Sequence, residues 1–189
     1  LKDVITAGVD EVGRGCLAGP VVSAAVILKK GIDLKLLKDS KKISFKKREE
    51  ISEHIKKNSY YAIGIASVEE ILNLNILQAS LLSMSRAIEK LKIKPGLTLI
   101  DGNFAPVGLK NCKTIINGDE KIKVISAASI IAKAYRDRFM IKLSEKYSNY
   151  AWERNFGYGT KAHLEGLKNF GVTSHHRKGF KPIHKILSS

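Results

Sequence analysis

The sequence predicts an α/β fold, in which a sheet is flanked by helices. Three short apolar runs rich in β-branched residues come first, at residues 4–9, 21–28 and 60–66, and they are typical of strands. Segments with apolar residues three or four positions apart dominate the rest of the chain and predict helices. Strands and helices mixed in this way indicate a sheet packed against helices.

The remaining elements are expected to form one folding unit. They are, in order, a charged amphipathic helix at 44–57 with Phe45, Ile51 and Ile55 as its apolar positions, a core-facing helix at 76–91, strands at 98–100 and 113–116, a long helix at 126–146, and short helices at 160–170 and 182–187. No repeat or linker separates them, and 189 residues suffice for one core. We therefore expect a single domain over residues 1–189, with about 160–189 as a basic helical C-terminal appendage.

The chain is strongly basic. It has 33 Lys and Arg residues against 18 Asp and Glu residues, a formal net charge of +15. This excess is the electrostatic footprint of a protein that lies along a phosphate backbone, although many small basic proteins are merely soluble. In the C-terminal appendage a candidate basic wall is formed by Lys161, Lys168, Arg177, Lys178, Lys181 and Lys185.

Composition also limits the class and location of the protein. Hydrophobic and charged fractions of 44% and 27% are ordinary for a globular chain and argue against a disordered or fibrous one. Cys16 and Cys112 belong to no zinc or disulfide pattern, which favours a reducing compartment. No apolar run approaches the ~18 residues of a membrane span, and residues 1–3 do not open a signal peptide. We expect a cytoplasmic protein without a membrane partner.

Acidic residues end two of the predicted strands. Asp10 and Glu11 end the first strand, and Asp101 ends a later one. If these strands are parallel neighbours, the carboxylates emerge at one edge of the sheet, where α/β sheets bind ligands. Like charges about 4 Å apart repel by roughly 4 kcal/mol at an effective dielectric near 20, so such a cluster stays ionised only with divalent cations or strong donors nearby. Oxygen-only ligands favour Mg²⁺ or Mn²⁺ over Zn²⁺, and two such ions suit phosphodiester hydrolysis.

A solvated acidic pair is the competing interpretation of Asp10-Glu11. Adjacent acids also occur at Glu49-Glu50, Glu69-Glu70 and Asp119-Glu120, and most such pairs lie on solvated faces. Asp10-Glu11 differs in its setting, because an apolar strand precedes it and glycines follow it.

Glycines are concentrated in residues 8–20. Their spacing is GxGxxxG, the segment leads into a strand, and no GxxxxGK[ST] is present, so ATP and NAD loops are set aside. Glycine lets the backbone approach a ligand closely, and Arg14 adds a cation there. A plain tight turn between strands fits the same residues.

Short motifs follow one another along nearly the whole chain. They are Asp10-Glu11-Val12-Gly13-Arg14-Gly15 with Ala18-Gly19-Pro20, Asp39-Ser40-Lys41-Lys42, Leu74-Asn75-Ile76-Leu77, Ile100-Asp101-Gly102-Asn103, Gly118-Asp119, Ser126-Ala127-Ala128-Ser129-Ile130 with Arg136-Asp137-Arg138, Gly157-Tyr158-Gly159-Thr160, and His175-His176-Arg177. In this order they resemble the ribonuclease HII family, the type 2 ribonucleases H. Arg14 and the short N-terminus favour type 2 over type 3, whose members carry a lysine between these glycines and an extra N-terminal domain.

The resemblance implies a fold and an activity. The fold is a ribonuclease H-like mixed five-stranded sheet flanked by helices, with a helical C-terminal extension. The activity is endonucleolytic hydrolysis of the RNA strand of RNA/DNA hybrids and cutting 5′ to single ribonucleotides in duplex DNA, with Mg²⁺ or Mn²⁺ at a two-metal site, leaving 3′-hydroxyl and 5′-phosphate ends. RNA/DNA hybrid and ribonucleotide-containing DNA duplex are then the partners, and we expect a monomer.

The resemblance also implies roles for individual residues. The catalytic, metal-binding carboxylates are Asp10, Glu11, Asp101 and Asp119. Substrate would be bound by Gly13, Arg14 and Gly15 at the ribose 2′-hydroxyl, by Tyr158 stacked on the sugar after the cut site, and by Ser40 and Lys41 at phosphate. Asp137 is a rival for the fourth metal position, but it falls inside the predicted long helix and is interpreted as structural.

Some positions depart from the family pattern or stay outside it. Asn117 and Phe156 stand where a lysine is common, and Gly179 stands where a serine is common. These departures bear on how the substrate is bound and not on the metal centre. The histidines have no metal spacing, and a surface or phosphate contact is favoured over ligation for His163, His175, His176 and His184.

Two other functions fit part of this pattern. One is a non-catalytic nucleic-acid-binding module whose carboxylates are surface groups. The other is a DNA-cutting relative of the same superfamily.

Overall fold

A mixed five-stranded sheet organises the protein, as expected. The computed structural model describes residues 3–37 and 42–189. The strand order is β3-β2-β1-β4-β5. Strand β2 pairs antiparallel with both β1 and β3, whereas β4 pairs parallel with both β1 and β5. The strands are β1 (Thr6–Val12), β2 (Val21–Leu28), β3 (Ser59–Ala66), β4 (Leu97–Asp101) and β5 (Cys112–Ile115).

Helices connect and cover these strands. A short 3₁₀ helix at Leu34–Leu37 follows β2. The α-helices of the described residues are α1 (Phe45–Lys57), α2 (Val68–Leu74), α3 (Ile76–Glu89), α4 (Gly118–Lys121), α5 (Lys123–Lys146), α6 (Trp152–Asn155), α7 (Lys161–Phe170) and α8 (Lys181–Leu187).

Most boundaries agree with the sequence, because local capping chemistry fixes them. The Ser44 hydroxyl accepts a hydrogen bond from the Lys47 amide at 3.2 Å and so caps the start of α1. Thr160 caps the start of α7 in the same way. Two expectations were wrong. The first strand continues to Val12, so Asp10 and Glu11 lie within it, and Phe45, assigned to the apolar side of α1, is 38% exposed.

Helices α2, α4 and α6 were not predicted. Helices α4 and α6 have four residues each, too short for a helical period to emerge, and α2 has seven. A signal for α2 was nevertheless present. Ser67 and Glu70 form a capping box, in which each side chain accepts from the other's backbone amide.

The two faces of the sheet pack against different helices. On one face, Ala24 and Val26 of β2 contact Ile55 of α1 and the alanine-rich surface of α5. On the other, Val9, Ala25 and Ile100 pack against Met84 and Ala87 of α3. Side chains alternate along a strand, so the sheet forms the middle of three layers.

A separate apolar cluster joins the glycine segment to the C-terminal helices. It contains Leu17 and Ala18 from the segment after β1, Met140 from α5, and Trp152, Leu167 and Ile183 from α6, α7 and α8. Residues 150–183 therefore pack directly on the glycine segment. A single domain with a C-terminal appendage remains a prediction.

None of the helices in residues 3–37 and 42–189 combines the length and the apolar character needed to cross a membrane.

Candidate active site

Asp10 and Asp101 share one edge and one face of the sheet. Strands β1 and β4 are parallel neighbours with Val9 opposite Ile100, so the next residues along, Asp10 and Asp101, are also side by side. Val9 and Ile100 both face α3, and alternation turns both aspartates to the face that α5 covers. This geometry is the one on which the predicted metal site depends.

Asp119 reaches the same edge through a turn that Asp101 holds. Asp101 Oδ1 accepts hydrogen bonds from the backbone amides of Gly118 at 2.6 Å and Asp119 at 3.3 Å. Gly118 lies so close to Asp101 and Ile125 that a Cβ would collide with the Ile125 side chain. The first turn of α4 is thereby fixed against the end of β4.

The pKa of Asp10 is raised well above its usual value. Burial is the main cause, and the charges of Glu11, Asp101 and Asp119 add to it. Burial also raises the pKa of Glu11, where Arg14 opposes the effect and Asp101 reinforces it. The acidic groups therefore lie within reach of one another's charge, and they disfavour one another's ionised forms.

The acidic cluster is open as it stands. The Glu11 side chain projects from the opposite face of β1 to that of Asp10, and the Glu11 amide donates a hydrogen bond to Asp10 Oδ1 at 2.8 Å. Within residues 3–37 and 42–189, no group of three or more His, Cys, Asp or Glu side chains is placed so that it could hold a metal ion. Glu11 Oε2 is buried without a hydrogen-bond partner in that part of the chain.

The glycine segment runs beside the carboxylates. Gly13 is buried with a φ of +91°, a conformation that strongly favours glycine. Arg14 and Gly15 are exposed, and Arg14 Nη1 lies 3.7 Å from Glu11 Oε1. The segment enters β2 and not a helix, in agreement with the exclusion of a nucleotide loop.

Tyr158 lies against this segment. Its Cε1 atom is 3.8 Å from the position that a Cβ on Gly15 would occupy. The carbonyl of the neighbouring Gly157 accepts a hydrogen bond from the Leu17 amide at 2.8 Å. The tyrosine is 40% exposed. Burial of the remainder and contact with Cys16 raise the pKa of Tyr158 to about 12, so the phenol is neutral at physiological pH.

Two arginines lie under the glycine segment, and neither was predicted from the sequence to be buried there. Arg136 and Arg177 are each 1% exposed, and Arg177 therefore does not belong to the exposed basic wall in which it was placed. Their guanidinium groups donate to backbone carbonyls of the glycine segment. A buried arginine cannot be told from a surface one by composition, although both residues lie in motifs shared with the family.

His163 and His176 are fully buried, so the expected surface role was wrong for them. Their Nε2 atoms lie 2.9 Å apart, and Trp152 Nε1 donates to His163 Nε2 at 3.2 Å. His163 Nδ1 lies 3.0 Å from the Tyr158 carbonyl oxygen, and Thr173 N donates to His176 Nδ1 at 3.0 Å. Burial lowers the pKa of both histidines, to about 3 for His176. The pair is a neutral part of the core that supports Tyr158.

Asp137, the rival for the fourth carboxylate, is held elsewhere. Its side chain is buried and forms ion pairs with Arg48 at 3.1 Å and Lys133 at 3.4 Å. Burial raises its pKa, and Lys133 and Arg48 oppose that change. These partners agree with the structural interpretation of Asp137.

The remaining predicted positions are two residues expected to contact phosphate and three that depart from the family pattern. Ser40 and Lys41, expected at phosphate, lie outside the described residues. Asn117 and Phe156 both have positive φ values, 54° and 53°, at the ends of short helices, and Gly179 is exposed. Lys133 Nζ lies 5.4 Å from the centroid of the Phe156 ring.

Similarity to known proteins extends over almost the whole chain. The family model described as Ribonuclease HII matches residues 7–185. The chain belongs to the ribonuclease HII family. Ribonuclease HII of Pelagibacter ubique (strain HTCC1062) is 62% identical over 97% of this chain and 99% of its own length.

Solved structures of the family share the fold. The ribonuclease H2 of Pyrococcus horikoshii OT3 superposes with a TM-score of 0.80 at 28% identity, over 97% of both chains. The RNase HII in the PCNA:RNase HII complex from Archaeoglobus fulgidus has a TM-score of 0.80 at 29% identity, over 94% of this chain and 96% of that one. As a ribonuclease HII, the protein is a metal-dependent endoribonuclease that acts on nucleic acid.

Proposed function

We propose that this ribonuclease HII hydrolyses the RNA strand of RNA/DNA hybrids and cuts 5′ to single ribonucleotides in duplex DNA. Asp10, Glu11, Asp101 and Asp119 are its catalytic, metal-binding residues. The observation that carries the proposal is the parallel register of β1 and β4, which sets Asp10 beside Asp101 next to an exposed glycine-arginine segment.

The donor set suits hard divalent cations. All four side chains offer oxygen only, the ligand that Mg²⁺ and Mn²⁺ prefer. The buried Glu11 Oε2 atom without a partner and the raised pKa of Asp10 are both features that a cation would relieve. Mg²⁺ is usually held by one or two carboxylates and completed by water and substrate phosphate, so we expect these side chains to converge fully only when metal and substrate bind. Two such ions, when bound, supply an activated water and stabilise the leaving 3′-oxygen.

The residues beside the cluster select the ribonucleotide. The backbone of Gly13, Arg14 and Gly15 reads the 2′-hydroxyl, the group that separates RNA from DNA. Tyr158 stacks on the sugar that follows the cut site and presents a neutral ring to it. Ser40 and Lys41 are assigned to phosphate, and this assignment remains a prediction.

The positive charge of the whole chain favours duplex binding. The exposed lysines of the basic wall are Lys161, Lys168, Lys178, Lys181 and Lys185. With a net charge of +15, the protein attracts the backbone of any duplex, so affinity alone does not make it specific. Action as a monomer and a cytoplasmic location are part of the proposal.

Three labelled duplexes test the proposed activity. They are identical in sequence, and one strand is all DNA, DNA with a single ribonucleotide, or all RNA. In Mg²⁺ we expect cuts in the RNA strand and a single cut 5′ to the lone ribonucleotide, with no cut in all-DNA duplex and none in EDTA. Product ends are identified by ligation and phosphatase sensitivity.

Each rival function predicts a different pattern. Cutting of the all-DNA duplex would indicate a DNA nuclease. Binding without any cutting across a range of metal concentrations would indicate a binding module. A cut 3′ to the ribonucleotide, or a 3′-phosphate end, would contradict the proposed chemistry.

A further inference from the structure

Two buried guanidinium groups lie directly beneath the glycine segment. Arg136 comes from α5, and Arg177 comes from the segment between α7 and α8. In the part of the chain that the structure describes, neither forms an ion pair with a carboxylate. Burial lowers the pKa of Arg177 to about 10, which leaves it charged at neutral pH. A buried charge is costly unless hydrogen bonds satisfy it, so the partners of these groups define their role.

Arg177 turns two carbonyls of the glycine segment inward. Its Nη2 donates to the Gly13 oxygen at 2.6 Å, and its Nη1 donates to the Arg14 oxygen at 2.9 Å. Further bonds from Nε to Gly19 O at 2.9 Å and from Nη2 to Pro20 O at 3.2 Å hold both ends of the segment on one guanidinium.

The inward carbonyls determine where the amides point. In a trans peptide the carbonyl of one residue and the N–H of the next point in opposite directions, and no peptide of the described residues is cis. The amides of Arg14 and Gly15 are therefore turned away from Arg177. Both residues are exposed, whereas Gly13 is buried. The segment thus presents consecutive N–H donors to solvent beside Glu11.

Arg136 supports the same arrangement from below. It donates to Pro20 O at 2.9 Å, Ala18 O at 2.8 Å and Phe156 O at 2.5 Å, so it ties the glycine segment to the chain just before Tyr158. Its guanidinium also fills the space that a Cβ on Gly13 would need. A side chain at position 13 would displace this support.

We propose that Arg177, supported by Arg136, is a positioning residue for ribose recognition: it fixes the Arg14 and Gly15 amides as donors to the 2′-hydroxyl and the adjacent phosphate. This inference rests on the proposed function of the glycine segment. Arg177 acts through the backbone and does not touch substrate. Lysine cannot replace it, because one ammonium cannot donate in the planar fork that reaches both carbonyls.

Binding of two duplexes tests the inference. They differ only in one ribonucleotide or deoxyribonucleotide, and affinities are measured in Ca²⁺ at fixed salt for wild type, Arg177→Lys and Arg177→Met. We expect the preference for the ribonucleotide duplex to fall about tenfold in both variants, the equivalent of roughly one hydrogen bond, while affinity for all-DNA duplex changes little. Arg154→Lys and Arg154→Met, at an exposed arginine, should keep the preference.

The outcomes distinguish a failure of the role proposed for Arg177 from a failure of the function proposed for the glycine segment. A purely structural role would lower the folded fraction and leave the preference of the folded protein unchanged, which would overturn the inference. A wild type that binds both duplexes equally would instead contradict the proposed function of the segment.

A measurement on the wild type tests the same inference without requiring that the variants fold. Amide hydrogen exchange of Arg14 and Gly15, followed by NMR, should slow with the ribonucleotide duplex and not with the all-DNA duplex. Equal exchange with both duplexes would overturn the inference.

Discussion

Asp10 occupies a position that opposes folding. It is 5% exposed on a central strand, and its pKa is raised by burial and by the charges of Glu11, Asp101 and Asp119. Such a residue costs stability in the metal-free protein, a trade-off common at catalytic sites and expected from the role proposed for Asp10. Divalent cations would reverse the balance by neutralising the cluster.

Replacement of Asp10 should therefore stabilise the metal-free protein. We expect Asp10→Asn to raise the free energy of unfolding in EDTA by about 0.5–2 kcal/mol, because it removes one buried charge from the cluster. It should also abolish most of the stabilisation that Mg²⁺ gives the wild type. Urea unfolding with and without Mg²⁺ measures both effects. Asp3→Asn, at a side chain that is 91% exposed, is the control and should change neither. A destabilised Asp10→Asn would contradict this account of the cluster.

Tyr158 should matter more for cutting than for binding. We expect Tyr158→Ala to lower kcat/KM at a single ribonucleotide by about tenfold to a hundredfold, the loss of one ring–nucleotide stack, with duplex affinity nearly unchanged. Tyr158→Phe keeps the ring and should keep most activity. The control is Tyr61→Ala, another exposed tyrosine, on strand β3. Equal losses in affinity and cutting would mean that Tyr158 only anchors the substrate.

The carboxylates could be predicted from the sequence, and the arginines could not. Asp10 and Asp101 were both predicted to end an apolar strand, so a parallel pairing was enough to bring them together; the structure keeps Asp101 at the end of β4 and places Asp10 within β1. The partners of Arg177 are backbone carbonyls more than 150 positions away, Gly13 among them, and no local pattern marks them. His163 and His176 were misjudged for the same reason, because their burial depends on α6 and α7 meeting the glycine segment.

At the scale of elements, the sheet and helices fit closely where small residues meet. Gly64 of β3 lies against α3, and a Cβ at this position would overlap the Ser83 carbonyl. Gly8 of β1 lies against the Val124 backbone at the start of α5 in the same way. These contacts position α3 and α5 on the strands that carry the site.

Gly64→Ala should destabilise the fold without altering the site. Because backbone of α3 blocks the added methyl, we expect a loss of about 1–3 kcal/mol in the free energy of unfolding, the usual cost of overpacking. Gly179→Ala adds the same methyl where the nearest atom, Leu72 Cδ1, is 3.5 Å away, and it should be nearly neutral. Urea unfolding compares the free energies of unfolding of the two variants. Similar values for both would contradict the close contact between Gly64 and the backbone of α3.

The buried histidine pair should make stability sensitive to acid. Burial lowers the pKa of both histidines, so below pH 6.5 the unfolded chain binds protons that folded His163 and His176 exclude, and the folded protein loses stability as the pH falls. For His176, this loss continues until the pH reaches its folded-state pKa of about 3. The difference in the free energy of unfolding between wild type and His176→Gln should decrease by about 1 kcal/mol for each unit by which the pH is lowered in this range. His184→Gln, at an exposed histidine, should show no such trend. A constant gap for His176→Gln would contradict the lowered pKa.

The predicted elements were accurate where they were long. Strand β2 has the predicted limits, and α3, α5 and α7 differ from prediction by three residues or fewer at each end. Helices α4 and α6 were missed because a single turn has no period, and α2 was missed although α8, of the same length, was predicted. The continuation of β1 through Glu11 was missed because acids are rare in strand interiors, and the proposed metal-binding role would account for them here.

At the scale of the whole molecule, strand order was not readable from residue patterns. Periodicity identifies strands but not their neighbours, so the parallel pairing of β1 with β4 was only a condition of the predicted site, and the structure meets that condition. That pairing is the feature on which the account depends. It joins an acidic cluster to a basic protein whose net charge of +15 would hold a duplex across the cluster.

The most direct test is cleavage of a duplex with one ribonucleotide by wild type, Asp10→Asn and Asp3→Asn in Mg²⁺. Duplex affinity is measured in parallel in Ca²⁺ at the same salt concentration. We predict that wild type and Asp3→Asn cut 5′ to the ribonucleotide, whereas Asp10→Asn is slower by on the order of a thousandfold and binds the duplex as well as wild type. Cutting by Asp10→Asn at a rate close to that of wild type would contradict the assignment of this cluster as the catalytic site.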